Sequence, residues 1–255
     1  MKPTRAGGRR RHQVQVSEQD GVRFLHRGGD AIQSAMRIGA PLALDLEYTR
    51  CMLAFLLFQP QPAHVLMIGL GGGSLAKFVY HKLPQAHVTV VEIDRQVVTV
   101  ARSHFQLPHD DARLRVRVAD GAAFVARRRA CADIVLLDGF EGGRQSPRLT
   151  TQAFYDAACR ALRRHGLLVA NFFGSDRHLR SYLDRIGASF GGRLACLRAR
   201  GEGNIIVLAF KDDPGMIRRE QLLARAAPLE RKLGIDFSRY AAGLRSAQAI
   251  LKIAR

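Results

Sequence analysis

Val65-Leu-Met-Ile-Gly-Leu-Gly-Gly-Gly-Ser74 runs from a short apolar segment straight into a cluster of glycines. An apolar run of this length, without polar alternation, is the pattern of a strand covered on both faces. The glycines let the backbone turn tightly and come close to a ligand that side chains would hold off. Ser74 to Lys82 then has helical spacing. The stretch therefore predicts a strand, a glycine turn and a helix, the opening unit of an α/β sheet.

Outward from this unit the pattern repeats. Strands are predicted at His64–Gly69, Val88–Asp94, Leu114–Asp120, Asp133–Asp138 and Gly166–Asn171. Helices are predicted between them at Ser74–Lys82, Gln96–Phe105 and Thr151–Arg164. Parallel strands joined by right-handed helical crossovers make a doubly wound sheet. After a further helix at Arg177–Ala188, Leu194–Ala199 and Asn204–Phe210 flank the short turn Arg200-Gly-Glu-Gly203, so these two strands must be antiparallel. The fold class expected is α/β, with a doubly wound, mostly parallel, seven-stranded sheet. Closure by an antiparallel pair resembles the class I methyltransferases and their relatives rather than a dehydrogenase. Helices with a break at Gly234-Ile-Asp236 are expected from Met216 to Arg255.

Upstream, Val14–Val16 and Val22–Leu25 flank Gln19-Asp20-Gly21 and read as a β-hairpin, which Ala31–Met36 could extend. Leu46 to Phe58 has helical spacing and leads through Gln59-Pro-Gln-Pro62 into the main unit. Residues 1–13 form a basic, glycine-containing tail expected to be disordered. The organisation expected is thus a tail at 1–13, a small hairpin-and-helix region at 14–59 and a nucleotide-binding catalytic domain at 60–255.

The chain of 255 residues carries a formal net charge of +18, with arginine far outnumbering lysine. Such a field attracts anions. Arginine is spread along the chain without a nucleic-acid-binding motif, so an anionic partner and a nucleotide-biased genome explain the charge equally well. No apolar run approaches the ~20 residues that span a bilayer, and the basic start has no apolar stretch behind it. Cys51, Cys131, Cys159 and Cys196 lie far apart and out of metal-ligand spacing, so reduced thiols in the cytoplasm are expected, without a metal site.

Chemistry concentrates at the carboxyl ends of the predicted strands, where open α/β sheets bind ligands. Gly69, Gly71 and Gly73 form the close-approach loop. Glu92 ends the second strand about twenty residues on, where an acidic side chain accepts hydrogen bonds from ribose hydroxyls. Asp120-Gly121 ends the third strand at the same rim. Asp138 ends the fourth and faces the reactive end of a bound nucleotide, unless it only caps a turn. Glu141, three residues on, is either a substrate contact or a solvated side chain.

On these motifs the chain, from roughly Val14 to Phe210, resembles the spermidine synthase (polyamine aminopropyltransferase) family. Val65–Gly73 is similar to that family's glycine-rich loop, Val90-Val-Glu-Ile-Asp94 to its ribose-binding strand end, and Asp120-Gly121 to its adenine-contacting turn. Leu149–Asp156 resembles the segment preceding its next helix, and Gly203–Phe210 its last strand. The resemblance implies that Gln33 contacts the co-substrate and that Tyr48 is an active-site tyrosine. It also implies decarboxylated S-adenosylmethionine as co-substrate, a small-molecule amine acceptor, a homodimer and no metal.

The departures from the family pattern fall at the site. Gly72 stands where the family has an aspartate facing the amine of the decarboxylated donor. Tyr48 is followed by Thr49-Arg50 instead of histidine and glutamate, and Asp138-Gly-Phe-Glu-Gly142 replaces an aspartate-rich run. These changes predict a weaker amine slot, with Arg50 opposing cations and Gly72 relaxing discrimination against intact S-adenosylmethionine. Methyl transfer from S-adenosylmethionine to an unknown acceptor, or nucleotide binding without turnover, are the alternatives.

Overall fold

A computed structural model of the protein describes residues 14–27, 32–141, 144–201, 203–215 and 219–253. The expected disordered tail at 1–13 lies outside these residues, as do Ala31, Gly142, Gly143, Glu202, Met216 and Arg255.

The glycine-loop unit forms as its sequence predicts: β4 (His64–Ile68), the loop, then α2 (Ser74–Lys82). The following strands are β5 (His87–Glu92), β6 (Leu114–Val118), β7 (Ala132–Leu137) and β10 (Leu162–Phe173). β6, β5, β4, β7 and β10 lie side by side, all parallel. Beyond β10, β12 (Asn204–Phe210) runs antiparallel, and β11 (Leu194–Arg198) runs antiparallel to β12, completing the order β11-β12-β10-β7-β4-β5-β6. This is the mostly parallel seven-stranded sheet that the strand pattern predicts. The chain order reverses beside β4, between β5 on one side and β7 on the other, which opens a crevice at the strands' carboxyl ends.

Helices cover both faces. α2 and α3 (Arg95–His104) pack on one, with a core that includes Phe78, Val79, Val90 and Leu136. α4 (Gly121–Ala126), α5 (Gln152–Ala161) and α6 (Leu179–Phe190) cover the other, over Leu66, Val135, Leu168 and Phe190. The helix predicted at Thr151–Arg164 ends at Ala161, because Leu162 already pairs with Ala132 as β10 begins. α4 is a single short helix capped by Asp120, too brief to leave a periodic signal in the sequence. α7 (Arg219–Leu233), α8 (Phe237–Gly243) and α9 (Ala247–Ile253) follow, with the break at Gly234–Asp236 where glycine and aspartate predict it.

At the other end of the chain β1 (Val14–Gln19), β2 (Val22–Arg27) and β3 (Ile32–Arg37) form an antiparallel sheet. The predicted hairpin therefore gains its third strand. The helical run at Leu46–Phe58 divides into α1 (Glu47–Met52) and a tighter 3-10 turn, Leu53–Leu57, whose side chains are all buried. Lys77 of α2, fully buried, donates to the Phe105 carbonyl at 2.6 Å and sits 3.1 Å from Met36 Sδ, tying β3 to the large sheet's helices. That bond carries β3, and with it Gln33 and Ser34, to the crevice.

Candidate active site

At the carboxyl ends of β4, β5 and β7 lies a cavity of about 660 Å³. Gln33, Tyr48, Gly69, Gly71, Glu92, Asp120, Gly121, Asp138 and Glu141 all line it. These residues come from distant parts of the chain, so the fold gathers nine of the ten that the sequence singles out. Gly73 is the exception: it begins α2, and a side chain there would run against Leu107 instead of the cavity.

Gly69 is where a glycine is obligatory. Its φ is 97°, and a Cβ there would lie 2.1 Å from the Asp138 carbonyl oxygen. Only glycine lets the ends of β4 and β7 close together, and this closeness sets Asp138 beside the loop. The next amide, Leu70 N–H, donates to Glu92 Oε2 at 2.9 Å, while Asp94 N–H donates to Oε1 at 2.9 Å. Burial pushes the Glu92 carboxyl above its ordinary pKa, and the two amides and Arg27 pull it back. Glu92 therefore holds the loop as well as facing the cavity. Arg27 pairs with Asp94 at 3.0 Å, which neutralises a cation at the cavity wall. Asp120 caps α4 by accepting from Ala123 N–H at 2.8 Å and pairs with Arg148 at 2.9 Å.

Asp138 keeps some exposure through the cavity. Its carboxylate is otherwise packed in protein, and burial pushes its pKa up; hydrogen bonds from Asn171 and Tyr48 oppose that shift. Asn171 Nδ2 donates to Asp138 Oδ1 at 2.9 Å, and Asn204 Nδ2 donates to Asn171 Oδ1 at 2.8 Å. This amide chain fixes the Asn171 side chain so that its NH2 group, not its oxygen, faces the carboxylate. Gln145 donates from the other side to the Asn171 backbone carbonyl. It belongs to a small hairpin of β8 (Phe140–Glu141) and β9 (Arg144–Gln145), which walls the cavity and leaves Glu141 exposed at its mouth. A second chamber of about 20 Å³, lined by Ser34, Asp45, Tyr48, Thr49, Ser74 and Asp138 among others, adjoins it. That space admits one water and little else.

Two expectations from the departures change. Arg50 does not line the cavity: it pairs with Glu47 at 2.8 Å, a carboxylate that Arg239 shares, and donates to the Leu44 carbonyl at 2.9 Å, so its guanidinium is held away from the site. Gly72 does not line the cavity either. A Cβ there would meet Phe105 Cδ1 at 2.8 Å and Ser34 Cβ at 3.0 Å, and Gly72 N–H donates to Ser34 Oγ at 2.8 Å. Ser34 and Phe105 fill the space into which a side chain would grow.

Residues 47–176, about half the chain, match the model of the spermine/spermidine synthase domain. The chain is 40% identical to the polyamine aminopropyltransferase of Chromobacterium violaceum over 89% of its own length and 87% of the relative's. The chain belongs to the spermine/spermidine synthase family. Family members use decarboxylated S-adenosylmethionine, and this one is a polyamine-aminopropyltransferase-like transferase. In structure it is similar to a probable spermidine synthase from Corynebacterium glutamicum, with a TM-score of 0.74 at 23% identity over 94% of this chain and 90% of that one, which speaks to the fold. It is also similar to human methyltransferase-like protein 13 in complex with SAH, with a TM-score of 0.67 at 29% identity over 74% of this chain and 92% of that one.

Against that family the network behind Asp138 is what sequence reading missed. Asn171 and Asn204 carried a signal: each is a polar residue beside an apolar run near the rim end of its strand, and buried polar groups need partners. Ser34 and Gln145 carried none, because only the packing of β3 and of the β8–β9 hairpin brings them in. Among the described residues no helix is long and apolar enough to cross a membrane, and no cluster suits a metal ion.

Proposed function

We propose that the protein transfers an aminopropyl group from decarboxylated S-adenosylmethionine to a small amine by direct displacement. The observation that carries the reading is Asp138 under Tyr48, beside the loop and within one cavity with Glu92 and Asp120. Glu92 takes the ribose hydroxyls, with its remaining lone pairs free of the two amides, and Asp120-Gly121 borders the adenine. Gln33 contacts the donor's tail. The acceptor nitrogen attacks the methylene carbon beside the sulfonium. A carbon–nitrogen bond forms, the carbon–sulfur bond breaks with its electron pair passing to sulfur, and methylthioadenosine leaves. The nitrogen's proton passes to the Asp138 carboxylate, with Tyr48 orienting the amine. Asn171 keeps that carboxylate an acceptor. Arg27 and Arg148, both paired with aspartates, leave the cavity favourable to cations, as an amine substrate requires, and Glu141 at the mouth supplies a further carboxylate for it.

Ser34, a neutral residue, occupies the space beside Gly72, so nothing at that point repels the carboxylate of the intact donor. Intact and decarboxylated donors are expected to bind within about tenfold of each other, a difference of ~1.4 kcal/mol. Turnover decides between the chemistries. Incubation with each donor and a series of linear diamines should release methylthioadenosine from the decarboxylated donor only. Production of S-adenosylhomocysteine from the intact donor, with no aminopropylated product, would replace this reading with methyl transfer. The likeness to the human methyltransferase, solved in complex with SAH, is the observation that favours this second reading.

A further inference from the structure

The far end of the sheet carries a second cavity, of about 240 Å³, at the amino-terminal ends of β4, β5 and β7. Register explains its lining. His64 pairs with His87, Leu66 with Thr89, and Thr89 with Arg115. Residues two apart in a strand share a face, so His64, Leu66, His87, Thr89, Arg115 and Arg117 project to one side. α4 covers that side but spans only Gly121–Ala126, leaving the edge strand's arginines uncovered. The chain leaving α4 brings Arg128 to the same hollow, its guanidinium 4.5 Å over the Phe124 ring.

Arg115, Arg117 and Arg128 make no ion pair among the described residues. Arg115 and Arg117 stand roughly 7 Å apart along their strand, within the ~8 Å Debye length at physiological ionic strength, so they repel one another. His64 and His87 stack at 5.2 Å on the same wall. Asp133, the carboxylate that acts on His64, is committed to the Ala63 and His64 amides and to Arg163. Burial and Arg163 lower the His64 pKa despite Asp133. Charge on an edge strand deters strand pairing, yet that need explains neither the concavity nor the third arginine supplied from another segment. Planar guanidiniums converging on a hollow suit the multiple oxygens of phosphate.

We propose that this hollow binds a compact polyphosphate group, as carried by a nucleoside di- or triphosphate, through Arg115, Arg117 and Arg128. The hollow lies at the amino-terminal ends of β4, β5 and β7 and the adenosine crevice at their carboxyl ends, with no lining residue in common, so the two sites fill independently. Its concavity favours a compact anion over the extended backbone of a nucleic acid.

Inorganic tripolyphosphate, which lacks an adenosine group, is the probe for calorimetry on the full chain. The wild type should bind it with saturating methylthioadenosine present as tightly as without. R115A/R117A should weaken binding at least tenfold, with an unchanged melting temperature, because both side chains are exposed. R177A/R180A removes the same charge from exposed positions on and beside α6 and should change affinity less than twofold. Equal losses in the two double variants would assign the binding to the general positive field and overturn the proposal. Displacement by methylthioadenosine, absence of binding, or binding of a single-stranded oligonucleotide but not of tripolyphosphate would overturn it too.

Discussion

Asp138→Asn separates the chemistry of the proposed base from its place in the fold. Asparagine has the same shape, and its amide oxygen can accept from Asn171 Nδ2, now 2.9 Å from Asp138 Oδ1, so the network behind it should survive. What is lost is the proton acceptor. General-base catalysis contributes about 100- to 10,000-fold, which is ~2.7–5.5 kcal/mol of barrier. Methylthioadenosine release in single-turnover experiments should slow by that factor, with donor affinity changed less than threefold. The acid limb of the wild-type pH–rate profile should lose the ionisation of Asp138 and keep only that of the acceptor amine. Stability should move the other way. Burial raises the Asp138 pKa above its unfolded value, so its favourable contribution is full below the unfolded pKa and is lost as pH rises through the folded one. Above its folded pKa the ionised carboxylate is a net cost, and there the variant should melt no lower than the wild type. Its advantage should shrink as the pH falls into the acid range. A folded variant that keeps its rate within threefold would refute the assignment of Asp138 as base.

Glu92→Ala should weaken methylthioadenosine binding at least tenfold. It should also lower the melting temperature more than Glu92→Gln does, because the Leu70 and Asp94 amides lose their acceptor at ~1–3 kcal/mol each; unchanged affinity in the folded variant would remove Glu92 from the site. Gly72→Asp should destabilise by ~1–3 kcal/mol through overpacking against Phe105 and Ser34, with Gly72→Ala close behind it. A gain in donor selectivity from the aspartate without loss of melting temperature would show that the loop opens towards the cavity. Burial lowers the Lys77 pKa from 10.5 to about 8, so between those values the unfolded chain binds more protons and stability rises with pH. Lys77→Met should flatten that rise in denaturant titrations across the range, and a slope equal to that of the wild type would locate its origin elsewhere.

The run of local patterns along the chain determined the sheet. Apolar strands, a glycine turn and acidic strand ends are written in neighbouring residues, because hydrophobic periodicity and backbone freedom act over a few positions. The parallel core, its antiparallel closure and most of the crevice's residues follow from those patterns with strand topology. Short elements escaped: α4 and the β8–β9 hairpin are too brief to leave a period, and Ala161 ends a helix because Leu162 joins a sheet. Tertiary structure alone decided what each side chain does at the site. Arg50 is the exception, because an arginine three residues after Glu47 on one helix pairs with it locally. Gly72 reads as an emptied position, yet Ser34 and Phe105, thirty-eight and thirty-three residues away, fill the space beside it. Asn204, Asn171 and Asp138 meet because β12 runs antiparallel to β10, bringing the start of one strand to the end of the other. Such contacts join distant residues whose spacing in the chain carries no information about their distance in space, so they appear only when the sheet has closed.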